Sequence, residues 1–333
     1  MNADTPAWIA EQTRNLLAQR GHAWLLSGPA GLGQYELALG LVKAWLCEQP
    51  HADGACGQCG SCHAIDVRTH ADLCVLMPET WMLELGWPLS EKAQADLDDK
   101  KRKPSKEIRI EAMRDAVDFS QRTSARGRGK AVLVYPAEDM NAFTANALLK
   151  TLEEPPGDVR FVLASEAAHQ LLPTIRSRCL VHTMVWPDTG SSLAWLDAQG
   201  LDAAQAAIAL RARGGRPQAA LAWAQSGQDP THWAALPQAL ARGDLQAVRD
   251  WTPQAVLGVQ QQLCHDLMAL EVAAQPRFFN EKDLQAGVPL AVLSQWGKSL
   301  QAHRRTMDHP FNPGLFIEAL MAEAHSVLAQ NGV

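Results

Sequence analysis

The 333-residue sequence is short of several things, and each shortage removes a class of protein. No run approaches the roughly 18–20 uncharged apolar residues of a bilayer crossing, so no membrane partner is expected. The opening Met1-Asn2-Ala3-Asp4-Thr5-Pro6 lacks the basic-then-apolar layout of a secretory signal, which predicts a cytoplasmic protein. A basic surplus is also missing. The formal net charge is −6, against the positive balance of a free-standing nucleic-acid binder. Aromatic residues make up 6% and nothing is low in complexity, while 47% hydrophobic and 20% charged residues are globular proportions. At roughly 150 residues per domain the length allows two or three domains. Seven cysteines, an odd number without a secretory signal, argue against a disulfide framework.

What is present alternates. Asp4 to Arg20 reads as a helix capped by Asp4 or Thr5, with Pro6 in its first turn, where a missing N–H is harmless. Short apolar runs at Ala23–Leu26, Leu73–Met77, Ala131–Tyr135 and Arg160–Ala164 read as buried strands. Helix-like segments, among them Tyr35–Cys47, Glu107–Ser120 and Asn141–Leu152, lie between them. That alternation predicts a largely parallel α/β sheet. After Trp186-Pro187 the strand-like runs stop, and Ala, Leu, Gln and Arg dominate. Gly214-Gly215 and Ser226 to Pro230 break this helical part into a unit near 188–228 and a larger one near 229–333. Residues 81–103 read as an exposed, partly amphipathic insertion of unread purpose. From Lys100 to Lys130, eleven basic residues face four acidic ones, a local charge of +7 that suits a solvated face or a contact with DNA or an acidic partner.

Gly28-Pro29-Ala30-Gly31-Leu32-Gly33 follows a buried strand and opens a helix, the place and spacing of a phosphate-binding loop. Its next two residues are wrong for the chemistry. Such a loop needs a lysine at the β and γ phosphates and a Ser or Thr hydroxyl on magnesium, and here stand Gln34 and Tyr35. The third strand fails in the same direction. Where an ATPase places Asp for the metal and Glu for the attacking water, Val132-Leu133-Val134 is followed by Tyr135 and Pro136. No ATP is expected in this site, and Gly28, Gly31 and Gly33 are read as keeping a tight strand-to-helix turn.

Cys56, Cys59 and Cys62 stand at two-residue gaps, with Cys47 nine residues upstream at a helix end. Four thiolates make a closed tetrahedral zinc site, structural because no water position is left open; unliganded or redox-active thiols are the alternatives. His51 and His63 are the substitutes if Cys47 points away. Cys74, Cys179 and Cys264 lie in apolar settings and read as core.

Taken together with Asn146-Ala147-Leu148-Leu149-Lys150-Thr151-Leu152-Glu153-Glu154-Pro155-Pro156 and Arg176-Ser177-Arg178-Cys179, these features resemble the bacterial clamp-loader subunits of DNA polymerase III. Leu263 to Asp266, Pro276 to Phe279 and His309 to Pro313 resemble them more loosely, and residues 81–103 fall outside the likeness. The failed motifs are unlike the ATP-hydrolysing gamma/tau subunit, which keeps the Lys and the Asp-Glu pair.

The resemblance implies an α/β AAA+ type P-loop domain over 1–187 with a zinc module at 47–62. An all-α lid at 188–228 and an all-α collar at 229–333 would follow. It also implies a five-membered ring with gamma/tau and delta subunits, acting on the sliding clamp and primed DNA. Within the ring Arg178 would be an arginine finger in a neighbour's ATP site, with Arg176 the competing candidate. The chain would be no enzyme by itself, though part of a holoenzyme classed as a DNA-directed DNA polymerase, a nucleotidyltransferase. Arg211, Arg213 and Arg216 offer a sensor arginine, and none is assigned that role. A zinc-containing DNA-binding module and a divergent DNA-dependent ATPase stay open as alternatives.

Overall fold

The structure is a computed structural model that describes residues 5–227, 229–307, 309 and 312–329. The chain forms two compact units, Met1–Ser191 and Ser192–Val333. No helix among the described residues is long and apolar enough to cross a membrane.

The first unit is built on five parallel strands: β1 (Ala23–Ser27), β2 (Leu73–Leu76), β3 (Lys130–Val134), β4 (Val159–Ser165) and β5 (Leu180–Thr183), in the order β2-β3-β4-β1-β5. The register sets Leu25 beside Leu163 and Val132 beside Phe161. The four anticipated strands are present. The fifth went unread because Leu180 to Thr183 is short and lies at a sheet edge, with Leu180 and Val181 exposed.

Around the sheet run α1 (Ala7–Leu17), α2 (Gln34–Leu46), α3 (Gly60–Asp66), α4 (Glu79–Glu84), α5 (Glu91–Asp98), α6 (Ile110–Gln121), α7 (Ala142–Glu153) and the short α8 (Pro173–Arg176). A central strand buried on both faces is largely apolar, and β3 is buried at all five positions, Ala131 to Val134 apolar and Lys130 at its start paired with Asp72. Leu25, Val132, Phe161 and Leu163 pack with Leu148 and Leu152 of α7 and Ile175 of α8 into one core. The expected cap of α1 differs. Pro6 holds the N-cap position with an extended backbone and no side-chain cap, and Asp4 lies outside the described residues.

The second unit is helical: α9 (Thr189–Ala198, which begins in the first unit), α10 (Ala203–Ala212), α11 (Pro217–Gln225), α12 (Pro230–Ala241), α13 (Pro253–Glu271), α14 (Leu290–Arg305) and α15 (Pro313–Leu328). Side-chain caps at Asp202, Asp229, Thr252 and Asn312 satisfy first-turn N–H groups and set where α10, α12, α13 and α15 begin. One apolar cluster runs from Leu196 to Leu328, with the Trp233 and Phe279 rings stacked at 5.0 Å. The loosely matched motifs meet here. Buried Asp266 accepts the N–H groups of Arg277, Phe278 and Phe279, and Arg277 donates back to the Gly214 carbonyl. Gly214 has φ +62°, and a Cβ there would stand 2.8 Å from the Phe278 ring, so the turn requires glycine. Of the motif His309 to Pro313, Pro310 and Phe311 lie outside the described residues.

Candidate functional site

The glycine turn links β1 to α2 as its spacing predicts, with Gly31 and Gly33 at φ +87° and +98°. Its interior is taken up by the chain's own groups. Gln34, only 2% exposed, folds back so that its side-chain amide donates to the carbonyls of Gly28 (2.7 Å) and Pro29 (2.9 Å). The Trp8 indole N–H donates to the Leu32 carbonyl at 3.2 Å. A lysine ammonium would project from this position toward phosphate; the glutamine amide instead ties the loop to itself.

Tyr35 and Tyr135, the only tyrosines in the chain, stand just after the glycine turn and just after β3, the two places compared above with the magnesium ligands of a P-loop ATPase. Their rings pack with centroids 5.4 Å apart, and both residues are buried. Burial pushes the Tyr35 phenol up, partly offset by the Trp87 indole, whose N–H donates to the hydroxyl oxygen at 2.8 Å. Burial and then the Glu166 carboxylate raise Tyr135, whose hydroxyl donates to that carboxylate at 3.0 Å. Both phenols are therefore neutral, without the anionic oxygen that a hard cation prefers. Glu138, three residues beyond Tyr135, accepts the Glu166 backbone N–H at 2.9 Å.

The reading of 81–103 as simply exposed needs correction. Helix α5 buries nothing, but Trp87 is 6% exposed and Trp81 sets its ring 5.5 Å from that of Tyr135. The sequence signal was there in two tryptophans, a residue type rarely spent on solvent, but their partners are 52 and 54 positions away.

The second constellation is the thiol cluster. Cys47 follows α2, Cys59 caps α3, and Cys62 lies one turn into α3. Sulfur separations are 3.8 Å for Cys47 and Cys59, 3.9 Å for Cys56 and Cys62, and 3.7 Å for Cys47 and Cys62. All four sulfurs lie within 4.8 Å of one another. A tetrahedral ion with metal–sulfur bonds of about 2.3 Å requires sulfurs roughly 3.8 Å apart, so the four cysteines fit such an ion. Cys47 points inward, and neither His51 nor His63 belongs to the set.

Backbone N–H groups prepare the cluster for negative charge: those of Cys56, Cys59 and Cys62 point at the sulfurs of Cys47, Cys56 and Cys59. Burial works against ionisation of Cys59, yet the N–H groups of Cys62 and Glu48, together with the Cys62 and Cys56 thiols, outweigh it and lower the thiol to about 6. Cys56 is lowered by the N–H groups of Gln58 and Cys59, whereas burial raises Cys47 and Cys62. Cys74 and Cys179 are each pushed up to about 12 by burial, as inert core thiols are.

Arg178 follows α8 and precedes β5. Its guanidinium is held inside the chain by Glu153, at 2.6 Å from Nε with a further contact from Nη2, and it donates to the Thr174 carbonyl at 2.8 Å. Arg176 is exposed and makes no ion pair among the described residues. The basic stretch is dispersed. Arg102 and Arg109 serve Glu79, Arg126 reaches Glu48 beside the thiols, and Lys130 is buried against Asp72 and the Phe119 ring. In the second unit Arg211 donates to the Phe279 carbonyl and Arg216 to the Arg213 carbonyl.

Asp72 escaped sequence reasoning. It is wholly buried ahead of β2 and accepts from the N–H groups of Ala125 (2.7 Å) and Arg126 (2.8 Å) and from the Ser124 hydroxyl (3.0 Å). Through Arg126 it links the sheet edge to Glu48 and Ser61 of the thiol module.

A five-stranded parallel sheet whose first strand runs through a glycine turn into a helix, with a four-cysteine cluster beside it, defines an α/β protein with a phosphate-loop-like turn. Comparison with known proteins places it further. The family model described as "DNA polymerase III, delta subunit" matches residues 9–185. Over 281 residues the chain is 36% identical to "DNA polymerase III subunit delta'" of Pseudomonas aeruginosa, covering 84% of this chain and 70% of that protein. Against the protein of the same name in Escherichia coli K12 it is 32% identical over 243 residues, 70% of this chain and 65% of the other. Likeness to the tau subunit of Escherichia coli is confined to 159 residues at 34% identity. The chain belongs to the DNA polymerase III delta' family.

Proposed function

We propose that this chain is the non-hydrolysing member of a clamp-loading ring, joined to gamma/tau and delta subunits and helping to load the sliding clamp onto primed DNA. In this reading residues 1–187 are a degenerate AAA+ domain, 188–228 a helical lid and 229–333 a helical collar. The relatives' names support the polymerase III assembly. The observation that carries the non-hydrolysing reading is the packing of Tyr35 on Tyr135 at the two metal-ligand positions. With Gln34 turned onto the loop carbonyls as well, a magnesium–nucleotide has neither its counter-charge nor its ligands.

The four cysteines are assigned to a structural zinc ion. A closed set of thiolates leaves no position for water or substrate, so the ion would stabilise the module between α2 and β2. Arg178 is assigned as the finger in trans. Its guanidinium, pre-oriented by Glu153 at the end of α7, would transfer to the phosphate of a neighbour's nucleotide on docking and offset charge as the phosphoryl group moves. Arg176, with no such holder among the described residues, is the control.

The test is equilibrium titration of the isolated chain with MgATP, alongside size analysis of its mixture with gamma/tau and delta. The reading expects no saturable MgATP uptake and stoichiometric incorporation into a larger assembly. Tight MgATP binding would overturn the inert site, and failure to co-assemble would overturn the ring role.

A further inference from the structure

The segment Glu79–Ser105 has a closed base and a loaded tip. At the base, buried Glu79 takes two donors from Arg102, one contact at 2.8 Å, and the Ser105 N–H at 2.8 Å, while the Thr80 N–H donates to the Ser105 carbonyl at 3.2 Å. Arg109 adds a second cation 3.5 Å from Glu79. The two chain ends are thus pinned together whatever lies between them. Beyond the base the segment is uneven. Helix α5 has no buried residue, whereas the part before it, where the Trp87 N–H closes a turn onto the Met82 carbonyl at 2.7 Å, carries both tryptophans. Those two rings reach Tyr35 and Tyr135, the residues at the vacated metal positions. Arg68 holds its guanidinium 4.7 Å from the centre of the Trp87 ring.

In a P-loop ATPase the start of the loop's helix and the end of the acidic strand are bridged by magnesium and phosphate. Here α2 begins at Gln34-Tyr35 and β3 ends at Val134, followed by Tyr135, with no ionic groups at those positions to bridge them. We propose that the Trp81–Trp87 segment is an intramolecular ligand of this degenerate site, clamping α2 to the end of β3 in the nucleotide's stead; the proposal rests on the non-hydrolysing reading. The hydrogen bond from Trp87 fixes the Tyr35 ring, and Trp81 backs Tyr135 edge-on, so the tyrosine pair is held from two sides. A neighbour's ATP cycle would then leave this domain's loop in one conformation, which suits a fixed ring member.

Amide hydrogen exchange by the full chain tests this, with Trp81→Ala/Trp87→Ala and Trp87→Phe compared with wild type and each also titrated with MgATP. The double variant is expected to exchange about tenfold or more faster at residues 28–37 and 134–138, with the thiol module and Ser192–Val333 unchanged. Trp87→Phe keeps a ring but loses the donor, and should show a smaller rise at the same amides; it decides the matter should the double variant not fold. Unchanged exchange at 28–37, or an equal rise everywhere including the thiol module, overturns the clamp. MgATP uptake by wild type would overturn the non-hydrolysing reading instead, and the exchange pattern would still report whether the tryptophans hold the loop.

Discussion

Replacing Asp72 by alanine should destabilise the first unit more than any surface change can. The carboxylate is fully buried and accepts two backbone N–H groups and one hydroxyl, and Lys130, itself only 5% exposed at its side chain, lies 3.6 Å away. Removing it leaves the buried Lys130 ammonium without its counter-charge and two backbone N–H groups without their acceptor, a loss of about 3–5 kcal/mol. At roughly 2–4 °C per kcal/mol for a unit of this size, the calorimetric transition of the first unit should fall by about 6–20 °C. Asp72→Asn keeps one acceptor oxygen and should lose less. Adding Lys130→Met to it should recover part of the loss, since the two share one interaction.

The pH dependence follows with a definite sign. Burial alone would raise the Asp72 carboxyl, but the N–H groups of Ala125 and Arg126, the Ser124 hydroxyl and Lys130 hold it below the ordinary carboxylate range. Its stabilisation is therefore fully present above its unfolded pKa, near 3.9, and is lost as pH falls through the folded value. Wild type should lose stability below about pH 4 more steeply than Asp72→Asn. A cost under about 1 kcal/mol for Asp72→Ala in urea or thermal unfolding would refute this account of the node.

Three further outcomes are expected. Purified chain should release about one equivalent of zinc to a thiol-modifying reagent with a colorimetric chelator, and Cys62→Ser should release far less; an equal yield from the variant would exclude the four-thiol site. Asp266→Ala, which strands the N–H groups of Arg277, Phe278 and Phe279, should lower the stability of the second unit by about 2–4 kcal/mol in denaturant unfolding while the first unit is unchanged. On the proposed non-hydrolysing reading, Gln34→Lys should show no ATP hydrolysis, because Tyr35 and Tyr135 remain packed on each other; turnover by that single variant would contradict the role given to the tyrosine pair.

The two constellations were legible in the sequence to different depths, for a physical reason. The thiol cluster was legible because its members are local: three cysteines at two-residue gaps curl toward one point, and only Cys47 is recruited from outside the run. The glycine turn and the four apolar strands were legible because burial on both sheet faces leaves continuous hydrophobic runs. Pairings set by tertiary packing were not. Nothing near Trp87 names Tyr35, nothing near Asp72 announces the loop at Ser124 to Arg126, and the basic stretch looked like one patch although its members go to separate acids. The edge strand Leu180–Thr183 was missed because a short, half-exposed strand shows no sustained period. Arg178 is singled out only by its resemblance to a family motif, and nothing in the sequence announces its engagement with Glu153, 25 residues earlier.

The central claim is that this chain does its work at a neighbour's nucleotide, and the most direct test is clamp- and DNA-stimulated ATP hydrolysis by a ring reconstituted from this chain, gamma/tau and delta. Wild type, Arg178→Ala and Arg176→Ala are compared after equal assembly is confirmed. The account predicts that Arg178→Ala assembles but loses most of its hydrolysis, by as much as roughly 10³-fold at the affected site, while Arg176→Ala stays close to wild type. Undiminished hydrolysis by the Arg178→Ala ring would contradict it.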